Sequence, residues 1–149
     1  MMTLLLVPFA LQGVAMFFDE IYFHRRRGLP LWERIGHPID SLSVLLCYGF
    51  IYFKDPTTFN IYIYLGLSSF SCLLVTKDEF VHTERCEARE NWLHAFLFIL
   101  HPISFLCAGI IWKENLSPQF LIFQPVIIFL FMMYQIIYWS PIGIKQRKN

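Results

Sequence analysis

The hydrophobic positions of the chain fall into five runs separated by short polar segments. The first run, Met1 to Phe18, is uncharged, and the third, fourth and fifth extend over about 56–76, 92–112 and 118–139. A helix needs about 20 mainly apolar residues to cross the hydrocarbon core of a bilayer. The pattern therefore predicts an all-α integral membrane bundle of five transmembrane helices, forming a single domain over 1–149.

The second run is shorter than the others, with only thirteen uncharged residues over 41–53. We expect this span to begin earlier, at His37-Pro38, because proline suits the first position of a helix. His37 and Asp40 would then lie at or below the lipid headgroups and face protein. A short interfacial helix is predicted just before this span, over 30–36.

Composition supports a membrane location. The 149 residues are 56% hydrophobic, 18% aromatic and 15% charged, whereas a soluble domain carries about 25% charged residues. A net charge of +1, without a basic and aromatic surface pattern, gives no support for a nucleic-acid partner. The first run has no basic segment before it and no convincing cleavage site, which argues against a removed signal peptide.

Cysteine usage gives no sign of a disulfide framework or a paired redox site. The four cysteines form no CxxC pair, and Cys47, Cys72 and Cys107 lie in apolar runs. Cysteines in such runs usually act as small buried hydrophobic residues. Only Cys86 lies in a polar segment.

Basic residues are distributed unevenly between the loops. Ten lysines and arginines follow the first, third and fifth runs, and two lie in the opposite loops. Cytoplasmic loops carry the excess of basic residues. The distribution predicts a multi-pass protein of the inner membrane with its amino terminus outside and its carboxyl terminus in the cytoplasm.

Acidic residues and histidines recur in the same order in two halves of the chain. The corresponding pairs are Asp19-Glu20 with His24 and Asp78-Glu79 with His82, then Glu33 with His37 and Glu90 with His94. Each half, about 1–54 and 55–113, is interpreted as a hairpin of two helices. Two such hairpins would form a four-helix bundle with an approximate two-fold axis, and a fifth helix, about 118–140, would pack outside it.

These residues are the candidate metal ligands. Carboxylates and imidazoles from neighbouring helices can hold metal ions in a bundle, and this mixture suits Fe, Mn or Zn. We expect one or two ions at the cytoplasmic face. Soluble dimetal bundles use Glu-x-x-His on two helices, a spacing that only Glu79 and His82 show here. The eight predicted ligands are Glu20, His24, Glu33, His37, Glu79, His82, Glu90 and His94, with Asp19, Asp40, Asp78 and Glu87 nearby.

One helix face in the second hairpin extends this set toward the membrane interior. At about 100° per residue, Glu87, Glu90, His94 and His101 fall within roughly 60° of each other. His101 would lie about 10 Å deeper than His94. Three roles stay open for His101: a deep ligand, a proton-relay group, or a side chain hydrogen-bonded within the core. Haem is a minor alternative, because the apolar runs offer no obvious second deep histidine.

The first hairpin carries a resemblance to a known class. Its segments Phe18-Asp-Glu, His24-Arg-Arg-Arg-Gly-Leu-Pro and Trp32-Glu-Arg-Ile-Gly-His-Pro-Ile-Asp40 resemble those of small bacterial integral membrane proteins of uncharacterised function. The resemblance covers the first four spans and implies no activity. The histidine sets of membrane desaturases, the HExxH motif and the GxSxG motif do not occur in the sequence.

The favoured prediction is a membrane-embedded metalloprotein that acts as an enzyme. Its metal would activate water or dioxygen against a lipid-soluble substrate entering from the bilayer, while Arg25, Arg26 and Arg27 hold a phosphate headgroup. Oxidative and hydrolytic reactions both stay open, as does a homo-oligomer. Two alternatives stay open as well: a metal-ion or proton transporter subunit, and a non-catalytic scaffold with a salt-bridged rim.

Overall fold

Helices make up nearly the whole molecule. The computed structural model describes residues 2–79 and 86–148, and their side chains as far as residue 144. Helix accounts for 89% of the structure, and these residues contain no strand, which confirms the all-α prediction. The helices are α1 (Met2–Phe18, continued by a π-helical turn, Asp19–His24, and by Arg25–Arg27), α2 (Leu31–Phe53), α3 (Thr58–Val75, continued by a 3-10 turn, Thr76–Asp78), α4 (Ala88–Lys113), α5 (Pro118–Tyr138) and α6 (Pro141–Lys148).

Four segments of the described chain are long and apolar enough to cross a membrane. They are Met2–Arg27, Thr58–Asp78, Ala88–Lys113 and Pro118–Tyr138. At 1.5 Å per residue even the shortest of them matches the hydrocarbon thickness of about 30 Å. A membrane helical bundle therefore fits the structure, as the hydrophobic pattern predicted. The predicted fifth crossing, by α2, is not among these four.

The start of α2 differs from the prediction. The expected interfacial helix and second span form one helix of 23 residues that begins at Leu31, after Pro30 in extended conformation. Pro38 lies inside this helix, so the prediction that it occupies the first helical position is wrong. A proline is tolerated there because one lost backbone hydrogen bond does not break a helix whose neighbours hold it in place.

Packing joins the helices in an order that differs from their order in sequence. Helix α1 packs on α4, α4 on α3, α3 on α2, and α2 on α5. Helix α5 was expected outside a four-helix bundle, but it lies along α2 and contributes a buried side chain, Gln135. Ser41 of α2 donates a hydrogen bond to the Gln135 amide oxygen at 3.1 Å. With Leu121 and Gln135 as its two buried residues, helix α5 packs on the bundle while most of its surface stays exposed.

The two ends of the bundle have different chemistry. One end is an aromatic and aliphatic core, in which the Tyr64 hydroxyl donates to the Phe105 carbonyl at 2.6 Å and the Trp112 indole donates to the Lys54 carbonyl at 2.8 Å. The opposite end, here called the polar end, is formed where α1 finishes and α2 and α4 begin. Most of the buried charged side chains of the described residues lie there.

Candidate metal centre

A π-helical turn at the end of α1 directs three polar side chains into the polar end. Asp19, Glu20 and His24 are buried, with exposed fractions of 7%, 2% and 2%. A π-helix repeats its hydrogen bonds between residues five apart, so Asp19 and His24 lie on nearly the same face. In an α-helix residues five apart would be separated by about 140°. The turn therefore creates a pair of ligands that a regular helix would separate.

Helix α4 supplies the partners of this pair. Glu90 and His94 are one turn apart and buried, with exposed fractions of 2% and 5%. His94 Nε2 lies 3.1 Å from Asp19 Oδ1, and His24 Nε2 lies 3.1 Å from Asp19 Oδ2 and 3.9 Å from Glu90 Oε1. One ligand atom from each of the four residues lies within 4.8 Å of the others. We call Asp19, His24, Glu90 and His94 the four-ligand group.

The ring of His24 is oriented as a metal ligand requires. Its Nδ1 lies 3.2 Å from Glu20 Oε2, and the Trp139 indole donates to the other Glu20 oxygen at 2.7 Å. An ionised carboxylate can only accept, so Nδ1 carries the proton of this hydrogen bond. In the neutral ring Nε2 then has a lone pair directed at the group, and it has no partner in hydrogen-bond geometry among the described residues. Histidines bound to metals are commonly held through their second nitrogen in this way.

Arg27 is bonded to the same Glu90 oxygen that lies 3.9 Å from His24 Nε2. Its guanidinium donates to Glu90 Oε1 at 2.9 and 3.2 Å and to the Glu33 carboxylate at 3.0 and 3.3 Å. Glu33 is completely buried. Gly28 permits the tight turn between Arg27 and α2, because its φ of 75° with ψ of 147° is a conformation open mainly to glycine. Arg27 thus links the first residues of α2 and α4 by forked ion pairs.

A second candidate group overlaps the first. It contains Glu20, His24 and His37, whose ligand atoms also lie within 4.8 Å of one another. The rings of His24 and His37 are stacked with centroids 4.9 Å apart. Because His24 belongs to both groups, two ions would have to share its ring. The four-ligand group offers more ligands, and all of them are buried, so the geometry favours that position for a single ion.

A separate ion-pair cluster adjoins His37. Lys77 donates to both oxygens of Asp40 at 2.6 and 2.7 Å, and it lies 3.2 Å from Asp78. Asp78 is also 3.7 Å from His37. Gly36 allows this approach, since a Cβ there would lie 3.1 Å from the Lys77 side chain and 3.3 Å from Asp78 Oδ1. The cluster fastens the end of α3 to α2.

The structure brings five of the eight predicted ligands into the candidate groups. His24, Glu90 and His94 belong to the four-ligand group, and Glu20 and His37 belong to the second group. Asp19, which was predicted only as a neighbour, supplies the fourth ligand. Its role depends on the π-helical turn, whereas the sequence interpretation assumed a regular helical repeat.

The other three predicted ligands are not placed in either group. Glu33 is buried but is held by Arg27. Glu79 is exposed, and its neighbour Asp78 is the buried acid of that pair. His82 lies outside the described residues. Glu87, expected on the face of Glu90, precedes the helix in extended conformation and is exposed.

The three arginines have different partners. Arg25 donates to the Tyr134 hydroxyl at 3.2 Å and lies over the Tyr138 ring. The Arg26 guanidinium lies 4.3 Å from the centre of the Tyr22 ring, while Arg27 pairs with carboxylates. A phosphate clamp made by all three arginines is not formed in this arrangement, and a headgroup site at Arg25 and Arg26 stays a prediction.

His101 is hydrogen-bonded within the bundle. The Gln12 amide donates to Nδ1 at 3.1 Å, and Nε2 lies 3.2 Å from the Ser71 hydroxyl. Ser71 is in turn 2.7 Å from the hydroxyl of Ser43. His101 is not a member of either candidate group. Of its three predicted roles, the arrangement favours hydrogen bonding in the core.

The thiol of Cys86 lies beside the group without belonging to it. Burial raises the pKa of Cys86 to about 12, and the nearby Glu90 carboxylate acts in the same direction, against the opposing effect of Arg27. The thiol is therefore protonated at physiological pH. A protonated thiol is a poor ligand for a metal ion.

These observations define a helical protein with four helices long and apolar enough to span a membrane and a buried His/Asp/Glu group that could hold a metal ion. Comparison with models of protein families, with curated proteins and with solved structures finds no match to the chain. The function of the chain is therefore inferred from its own residues.

Proposed function

We propose that the chain is a membrane-embedded metalloenzyme with one divalent ion bound by Asp19, His24, Glu90 and His94. The observation that carries the proposal is the convergence of four buried ligand atoms from α1 and α4 within 4.8 Å of one another. Two imidazoles and two carboxylates suit Fe, Mn or Zn. An ion held by four protein ligands of this kind binds and activates water, dioxygen or a substrate oxygen when coordination is completed from outside.

Charge balance supports a cation at this position. Four buried carboxylates surround the group, and Arg27 is the one arginine paired with them in the described chain. Buried carboxylates are costly at low dielectric unless cations or hydrogen-bond donors lie beside them. A divalent ion bound between Asp19 and Glu90 would stabilise both carboxylates. The alternative is that the histidines are protonated and the cluster is a structural ion-pair network, as expected for a non-catalytic scaffold. The carboxylates are Asp19, Glu20, Glu33 and Glu90.

Five membrane crossings and the predicted orientation belong to the same proposal. Helix α2 has 23 residues, enough for about 34 Å, and its polar first half is paired with Arg27 and Lys77 rather than left facing lipid. The polar end then lies at the cytoplasmic face, with the amino terminus outside. A lipid-soluble substrate would reach the ion from the bilayer, and oxidative and hydrolytic reactions are both compatible with the ligand set.

Metal analysis of the purified protein tests the proposal. The protein in detergent or nanodiscs is expected to contain about one Fe, Mn or Zn per chain by inductively coupled plasma mass spectrometry. His94→Ala should lose the ion, because it removes one of four ligands. His37→Ala should keep it, since His37 belongs only to the second group. Glu79→Gln is a matched carboxylate control at an exposed position.

The outcomes separate the two groups and the scaffold alternative. Loss of the ion in His37→Ala with retention in His94→Ala would move the site to the second group. A folded protein that contains no metal and binds none on titration would refute the metalloenzyme and favour the ion-pair network. Folding of each variant is checked by its circular dichroism and its elution from a sizing column.

A further inference from the structure

A cavity extends from the candidate metal centre into the apolar part of the bundle. Its volume is about 380 Å³, and it is bounded mainly by α1, α2, α4 and α5, with the end of α3 at Val75 and Asp78. We call it the chamber. At one end it is lined by Asp19, His24 and His94, and at the other by Phe9 and Phe105. Pockets for small molecules usually have volumes of about 300–1,000 Å³, so the chamber is large enough for a ligand.

The chamber is elongated along one helix. It follows α4 from His94 to Ser104, ten residues or about 15 Å at the rise of an α-helix. An elongated space of this kind matches the shape of an extended hydrocarbon chain. A single-chain amphiphile can lie along it with one polar end group beside His94 and its chain beside Phe105.

The side of the chamber opens toward the membrane. Gly13 and Phe17 of α1 and Ile127 of α5 line the chamber and are also exposed at the surface, Phe17 by 63% and Ile127 by 59%. Residues with both properties mark the place where an interior cavity reaches the surface. Gly13 and Ile127 lie well inside two apolar segments that can cross a membrane. The opening between α1 and α5 thus faces lipid.

Away from the metal centre, the polar groups of the chamber offer few hydrogen-bond partners to a water molecule. Gln12 is bonded to His101, and Ser41 is bonded to Gln135. A stable buried water needs two to four polar partners, and most groups here already have partners in the protein. Away from the metal centre the exception is Ser104, whose hydroxyl is buried, lines the chamber and has no hydrogen-bond partner among the described residues. Such a group is usually explained by a partner from outside the chain.

We infer that the chamber binds one single-chain amphiphile from the bilayer, with its polar end group at the metal centre and its hydrocarbon chain directed toward Phe105. Long-chain alcohols, aldehydes and acids belong to this class. The placement of the end group rests on the proposed metal site. Binding of the chain in the chamber does not, because it depends on shape, apolar lining and the opening to lipid.

Photolabelling tests the inference in the intact protein. The chain is placed in phosphatidylcholine nanodiscs with a long-chain alcohol that carries a diazirine on its hydrocarbon chain. Labelled positions are then identified by peptide mass spectrometry. We expect label on chamber residues such as Phe9 and Phe105, and competition by an unlabelled long-chain alcohol. The excess of phosphatidylcholine in the disc serves as the two-chain competitor and should not prevent labelling.

Two glycine variants provide a matched comparison. A Cβ at Gly13 or at Gly66 would meet no atom within 4 Å, so both positions accept a larger side chain. Gly13→Phe fills the opening of the chamber and should reduce chamber labelling by about tenfold or more. Gly66→Phe adds the same side chain on an exposed face of α3, away from the chamber, and should leave labelling unchanged.

Chamber labelling and metal content, measured together, also distinguish this inference from the metal proposal. Label only on outward-facing residues, no competition by the long-chain alcohol, or equal chamber labelling in the two glycine variants would overturn the chamber as the binding site. Competition by the unlabelled alcohol in the wild-type protein tests the chamber as the binding site even if Gly13→Phe fails to fold. Chamber labelling without bound metal would refute the metal proposal and keep the binding site. Bound metal without chamber labelling would refute the binding site and keep the metal proposal.

Discussion

Removal of Arg27 is the sharpest test of the electrostatics at the polar end. Arg27 makes four charge-assisted hydrogen bonds at 2.9–3.3 Å to Glu33 and Glu90, whose side chains are 0% and 2% exposed. Arg27→Met keeps much of the side-chain volume but leaves two buried carboxylates without their cation. Removing one partner of a buried ion pair typically costs about 3–5 kcal/mol. We expect a loss of this size in the metal-free protein, and a smaller loss with metal bound, because the ion also offsets the charge of Glu90.

The assay is the free energy of unfolding on titration with SDS in mixed micelles. Arg27→Lys should lose less than Arg27→Met, because it keeps the charge but cannot fork between two carboxylates. Arg26→Met is the matched control: Arg26 is exposed and stacks on a tyrosine, so about 1 kcal/mol or less is expected. If Arg27→Met and Arg26→Met destabilise the protein equally, the carboxylates are not buried as described and the charge argument for a metal fails.

Two further substitutions separate metal binding from stability. Trp139→Phe removes the hydrogen bond that holds Glu20, and Glu20 in turn orients His24. Metal affinity should therefore fall by about 10- to 100-fold in a competition titration with a chelator. Unchanged affinity would mean that His24 is not oriented through Glu20. Tyr64→Phe removes a buried hydrogen bond to the Phe105 carbonyl at the opposite end, and should lower the free energy of unfolding by about 1 kcal/mol with metal content unchanged.

Much of the fold follows from the hydrophobic pattern because long apolar runs have few alternatives in a bilayer. The third and fifth predicted spans agree with α3 and α5 to within two or three residues. The start of α2 was mispredicted because Pro38 was assigned to the first position of the helix, the position that proline prefers. In the bundle the helix continues through Pro38, because its neighbours hold it in place. Helix α5 contacts α2 through the hydrogen bond between Ser41 and Gln135, which the hydrophobic pattern alone does not predict.

The candidate site was predicted as a region and a set of residue types, but not as a ligand set. Glu90 and His94, spaced one turn apart, lie on one face as expected, since α4 is regular there. Asp19 was missed as a ligand because no single-sequence rule predicts a π-helical turn, and that turn decides which of two adjacent acids faces His94. Arg27 was predicted to help hold a phosphate headgroup, but it pairs with Glu33 and Glu90, and this role depends on tertiary contacts.

Contacts at the polar end are reciprocal between the two predicted hairpins. Asp19 of the first hairpin lies 3.1 Å from His94 of the second, and Asp78 of the second lies 3.7 Å from His37 of the first. A two-fold axis relating the hairpins would exchange these two pairs. The internal repeat itself stays a prediction from the sequence.

The response to pH distinguishes a metal centre from a network of protonated histidines, because the two predict opposite signs. In the metal centre the ligating histidines are neutral, so protons compete with the ion and acidification should release it and lower stability. In the network the histidines must be charged to balance the buried carboxylates, so deprotonation on raising the pH removes that balance and should lower stability. The free energy of unfolding and the metal content are measured together across the pH range in which the protein stays soluble. His94→Ala should abolish the acid-dependent release without creating an alkaline loss. Stability that falls only on the alkaline side, with no metal released at any pH, would establish the network and rule out the metalloenzyme.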